Sequence, residues 1–236
     1  MADAQDRSQQ SKVPIRTADP KIEDGSASID GRPLPYRRAG TGPSVLLLHV
    51  ASAASDQKWN ELLHRLGKRY TTVSVTTGDL AAASGTPAGE GSASGMAQAV
   101  VALARTLQLE RPFLVGSGAG AVVAYAVARV EPTSLRGLML LDTLVPGIAP
   151  WKAEGPGAAW TMEASVNASH NVPNETPLVI ALGQKSPHAA QIANHAVALR
   201  AHGWSRIDTA LMRMAASDLV VEQVGPVGAL VEKHAH

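Results

Sequence analysis

Five consecutive residues, Gly116-Ser117-Gly118-Ala119-Gly120, place one hydroxyl among three glycines, a composition suited to a sharp turn. A serine there needs a neighbouring base before it can attack anything. Candidate bases and acids lie elsewhere in the chain: His49, Asp142 and Asp218, with Ser52 and Ser55 as further hydroxyls. There is no cysteine, so thiolate nucleophiles, thiolate zinc sites and disulfide scaffolds are excluded. His188, His195 and His202 recur every seventh residue, about two helical turns apart and too far to share a metal ion. No metal constellation is found, and no metal or cofactor is expected. The run Gly116 to Ala121 could also cradle a phosphate at a helix start. A dinucleotide site wants an acidic residue about 20 positions on, and Asp142 lies 24 beyond Gly118. That fingerprint opens a domain, however, whereas this turn follows about the fifth strand of the chain.

The elements that must position these residues alternate in type. Residues 44–50 (SVLLLHV) form a continuous apolar run, as in a strand buried on both faces. A helix over 56–68 puts Trp59, Leu62, Leu63 and Leu66 on one face. The β-branched stretch 70–77 predicts a strand, and 93–109 a helix. Strands follow at 112–116, 136–142, 177–183 and 207–214, with helices at 119–130, 186–203 (ended by Gly203) and 226–234 (opened by Pro226). The spacing therefore predicts a doubly wound, mostly parallel α/β sheet, with an antiparallel hairpin over 26–40 at one edge. Ligands in such sheets bind beyond the carboxyl ends of the strands, where His49, Ser52, Ser55, Ser117, Gly118, Asp142 and Asp218 fall. Residues 1–20 read as a polar tail, 81–95 as a soft segment too poor in large side chains to pack, and 144–176 as lacking a clear period.

With 236 residues, a net charge of +1 and only 3% aromatics, the chain suits one domain with an aliphatic core. No charge excess points to nucleic acid or anionic lipid, and no apolar run approaches a membrane span. The start lacks a secretory apolar stretch, so a cytoplasmic protein is expected.

Four segments carry a resemblance. YRRAGTGPSVLLLHV resembles the stretch before the oxyanion loop of α/β-hydrolases. FLVGSGAGAVVAYAVARVEPTSLRGLMLLDTLVPG is similar to their nucleophile elbow, the helix behind it and the next strand. GQKSPHAAQIANHAVALRAHGW and SDLVVEQVGPVGALVEKH resemble the last third of the epoxide hydrolase and fluoroacetate dehalogenase branch. The resemblance implies an α/β-hydrolase fold over roughly 26–143 and 177–234. It also implies that the branch's helical cap is reduced here to a lid of about 33 residues, 144–176, with Trp151 and Trp160 over the pocket mouth.

It further implies that the nucleophile position is Gly118, at a strand-to-helix turn of positive φ. Ser117 stands one place early, and its hydroxyl is expected to bond to nearby backbone. The catalytic histidine's place falls on Ser217 and Asp218, while the acid after the sixth strand is retained as Asp142. Where the branch has His-Gly, this chain has His49-Val50; His49 reads as a structural turn residue, with Val50 and Ser52 in the oxyanion loop or pocket. Asp79 matches a residue that holds a turn. Asp142 and Asp218 are expected to face each other and share a proton; the alternative is that Asp218 turns outward and caps the closing segment.

Two classes of function follow. One is a non-hydrolytic enzyme that cyclises, isomerises or eliminates a small apolar or mixed-polarity molecule with carboxylate help. The other is a binding protein without turnover. A hydrolase using carboxylate-activated water is a third option, and a homodimer could close the pocket.

Overall fold

The computed structural model describes residues 19–85, 93–145, 175–213, 215 and 218–236. Eight strands form one sheet in the order β1-β2-β4-β3-β5-β6-β7-β8. The hairpin β1 (Ile22–Ile29) and β2 (Arg32–Ala39) occupies one edge and joins β4 (Thr71–Thr76) antiparallel. From there the sheet is parallel through β3 (Ser44–His49), β5 (Phe113–Ser117), β6 (Gly137–Leu141), β7 (Leu178–Gly183) and β8 (Ile207–Met212).

Side-chain alternation explains the continuous apolar strands. In β3, Leu46 and Leu48 enter one core layer while Val45 and Leu47 enter the other. The first layer is closed by α2 (Thr77–Ala83), α3 (Ala93–Thr106), α4 (Ala119–Val130) and α5 (Ile192–Ala201). The second is closed by α1 (Ala53–Gly67) and α6 (Leu219–His234), joined by an ion pair of 2.9 Å between Arg65 and Glu232. No helix among the described residues is long and apolar enough to cross a membrane.

Three sequence expectations need correction. The segment 81–95 does pack in part: Ala81, Ala83 and Ala93 are buried, in α2 and at the start of α3. Small side chains let α2 lie close to the sheet, and Thr76 caps it by accepting the Asp79 N–H at 3.1 Å. The helix expected over 186–203 is shorter, because a 3₁₀ turn at Ala189–Gln191 precedes α5; Gly203, at φ +91°, follows its end as anticipated. The closing helix starts at Leu219, before Pro226. A break at Gln223 (φ −145°, ψ 51°) splits it and relieves the clash of the proline ring with the carbonyl four residues back. The tail 1–18, and Trp151 and Trp160 in the expected lid, lie outside the described residues.

Candidate active site

The turn between β5 and α4 brings the helix almost onto the sheet. A Cβ at Gly116 would run into the Gly120 carbonyl, and one at Gly120 into the Leu48 carbonyl. These two glycines are steric necessities. Gly118 between them is different. It holds φ +55° and ψ −123°, while a Cβ built on it meets nothing within 4 Å. The backbone thus has the elbow conformation, aims its middle residue into open space, and offers no side chain there.

That space is a cavity of about 190 Å³, lined by His49, Val50, Trp59, Ser117, Gly118, Asp142 and Asp218. It lies where the topology rule places a ligand, beyond the carboxyl ends of β3, β5 and β6. Asp142 follows β6 at once, in the left-handed region with φ +59°. Its Oδ2 accepts the Leu219 N–H at 2.7 Å, which ties the end of β6 to the start of α6. Its Oδ1 is buried without a hydrogen-bond partner among the described residues. Burial pushes the carboxyl up to about 6; the Leu219 N–H works against this, and the charges of Asp218 and Glu222 add to it.

Asp218 caps α6. Also left-handed, at φ +45°, it accepts the Val221 N–H on Oδ1 at 3.2 Å. No hydrogen bond joins it to Asp142 among the described residues. Both carboxylates line one cavity and Asp218 raises the affinity of Asp142 for its proton, while the helix start claims one oxygen of Asp218, as in the capping alternative. Ser217 lies outside the described residues.

His49 is buried, 5% exposed, and its ring stacks on Trp59 with centroids 4.5 Å apart and planes 9° from parallel. Its Nδ1 meets the Val50 carbonyl at 3.2 Å and its Nε2 the Ser74 hydroxyl at 3.0 Å. Burial, above all, pulls its pKa below the ordinary histidine value, against the hydrogen bond to Val50. Val50 lies half exposed at the cavity wall. Ser52 does not reach the cavity: it is the N-cap of α1, accepting the Ser55 N–H at 3.1 Å and bonding the Ser55 hydroxyl at 2.7 Å. Orphan amides at the helix start draw the serine outward. The hydroxyl of Ser117 lacks the expected bond to backbone among the described residues, and Ser117 lines the cavity at the end of β5 instead. Among the described residues no group of three metal-ligating side chains stands together.

Trp59 is the cavity residue that sequence reasoning missed. Its helical spacing with Leu62, Leu63 and Leu66 marks a core face, and it does pack there. Its place near the start of the helix that follows β3 is the signal that it also reaches the strand ends.

No family model and no curated protein matches the sequence. Solved structures do match the fold. A laboratory-evolved variant of potato epoxide hydrolase is 14% identical, with 90% of this chain and 98% of that one covered and a TM-score of 0.72. An epoxide hydrolase from Vigna radiata is 12% identical, over 90% and 97% of the two chains, with a TM-score of 0.67. A membrane phospholipase A described as a bacterial virulence factor is 16% identical, over 90% and 85%, with a TM-score of 0.65. The chain has the α/β-hydrolase fold.

Proposed function

We propose that the crevice binds a small molecule of mixed polarity and rearranges it by proton transfer through Asp142, without a covalent ester. Cyclisation, isomerisation and elimination are reactions of this kind. A glycine at the apex of the elbow has no atom with which to attack, and Asp218 in the histidine's place serves a helix cap. The usual triad is thus degenerate in this reading, and the volume that a nucleophile would fill belongs to the ligand.

One observation carries the proposal: Asp142, a residue of the cavity wall, has a carboxylate oxygen buried without a hydrogen-bond partner among the described residues, on a group pushed up to about 6. Such a carboxyl gives and takes a proton near neutral pH. Positioning in a shaped pocket supplies the rest of the rate. The cap role of Asp218 favours a second reading, binding without turnover, because it leaves a single carboxylate for the chemistry.

Mass spectrometry of small-molecule extracts incubated with the protein separates these outcomes. A compound converted without change of mass, or with loss of a small neutral molecule, and left unconverted by Asp142→Asn, supports proton transfer. A retained compound that never changes supports binding alone, and gain of one water supports hydrolysis. Ligand entry should also quench Trp59, which lines the cavity. Trp204 stacks on Tyr125 in the other core layer and should not respond. Quenching therefore weakens in Trp59→Phe and persists in Trp204→Phe.

A further inference from the structure

His49 also lines a second cavity, of about 200 Å³, together with Ser74, Arg37, Tyr36, Thr76 and Asp56 among others. The protonation of its ring follows from its partners. The Val50 carbonyl can only accept a hydrogen bond, so Nδ1 carries the hydrogen. Burial and the charge of Arg37 hold the ring below its ordinary pKa, against Asp56 and Asp218, so it is neutral at pH 7 and Nε2 bears a lone pair. That lone pair accepts the hydroxyl hydrogen of Ser74 at 3.0 Å. Trp59 fixes the plane of the ring by stacking on it.

These are the parts of an activated nucleophile: a hydroxyl, a neutral base within hydrogen-bond reach, and a third group that orients the base. Arg37 adds a fourth. It lies directly opposite Ser74 in the antiparallel register of β2 and β4, so both side chains rise from the same face of the sheet. Its Nη1 donates to Asn60 Oδ1 at 3.0 Å and its Nε to Asp24 Oδ1 at 3.3 Å, which holds the guanidinium at the cavity wall.

We propose that Ser74 and His49 form a nucleophile and base pair that cleaves small carboxylic esters in this second cavity. His49 borders the elbow cavity as well but Ser74 lines only the second one, and the proposal does not rest on proton transfer at Asp142. Ser74 Oγ bonds to the ester carbonyl carbon while its proton passes to His49 Nε2, and the carbonyl oxygen takes up negative charge near Arg37. The bond from that carbon to the alkoxy oxygen then breaks, and the alkoxide leaves as an alcohol with the proton from Nε2. Water attacks the acyl-serine next, giving a proton to His49, which returns it to Ser74 as the free acid departs. Ester and water are consumed; acid and alcohol are formed.

The test treats the whole protein with an alkyl fluorophosphonate, which bonds to an activated serine oxygen and expels fluoride. The adduct is then located by peptide mass mapping. The expected result is one adduct on Ser74, absent in Ser74→Ala and formed about a hundredfold more slowly in His49→Gln. Circular dichroism establishes that each variant is folded. Should His49→Gln not fold, the wild-type pH profile replaces it: the labelling rate stays level above about pH 6.5 and falls in acid, as a neutral base below its ordinary pKa requires. No adduct on Ser74 under conditions that label a known serine esterase overturns the proposal. So does an adduct on Ser117, or a rate indifferent to His49 and to pH.

Discussion

The three glycines of the elbow differ in what a methyl group would do to each. At Gly118 an added Cβ meets nothing, so Gly118→Ala costs only the left-handed backbone, about 1 kcal/mol. At Gly120 it strikes the Leu48 carbonyl, and relief requires α4 to move off the sheet, at about 3 kcal/mol. Urea unfolding of the two variants should show this order, and equal losses would mean the turn is not held as described. Asp142 carries a second residue-scale prediction. Its folded-state pKa, about 6, lies above the ordinary 3.8. The folded protein therefore binds that proton more tightly, and the stabilisation it gives below the ordinary value is lost as pH rises through 6. Asp142→Asn removes the penalty yet still accepts the Leu219 N–H. It should be more stable than wild type at pH 8, by about 3 kcal/mol, and much closer to it at pH 4 when melting temperatures are compared. At this scale the sequence revealed the positions of Gly118 and Asp142, because a turn motif and a strand end mark them. It did not reveal which way Asp218 or Ser52 points. Each serves the unsatisfied amides of a helix start, and that competition is visible only once the helix boundary is fixed.

At the scale of elements, α5 fixes the chain just beyond the crevice. His195, 1% exposed, accepts the Val145 N–H on Nε2 at 2.8 Å and so pins the stretch that leaves Asp142. Burial pulls its pKa from 6.5 to about 4. The unfolded chain then binds a proton that the folded one refuses, so stability is full above pH 6.5 and declines as pH falls toward 4. The decline reaches about 3 kcal/mol. His195→Gln keeps an acceptor without a titrating ring, and its melting temperature should fall less steeply over this pH range. Parallel melting curves would contradict the role. The strands and the long helices were legible because both faces of the sheet are covered, which writes continuous apolar runs into β3, β5, β6 and β7. Two things were not. The short α2 has a single large apolar residue, Leu80, and carries almost no periodic signal. The first turn of α6 precedes a proline that looks like a helix start.

For the molecule as a whole, the strand order brings the ends of β3, β5 and β6 and the start of α6 to one crevice. Residues 49, 118, 142 and 218 meet there although they are distant in sequence, so the cavity could be inferred only through the fold, which both the alternation of strands and helices and the resemblance implied. Its volume, and the Asp142 oxygen left without a partner among the described residues, are properties of the packed molecule and have no sequence signature. The proposed proton transfer requires that the Asp142 carboxyl exchange its proton near neutral pH. The direct measurement is a titration of the protein with ¹³C-labelled aspartate carboxyls, followed by NMR, with the Asp142 signal assigned by its absence from Asp142→Asn. An inflection at about 6 is the predicted result. An inflection near the ordinary 3.8 would leave Asp142 fully ionised at neutral pH and contradict proton transfer through it.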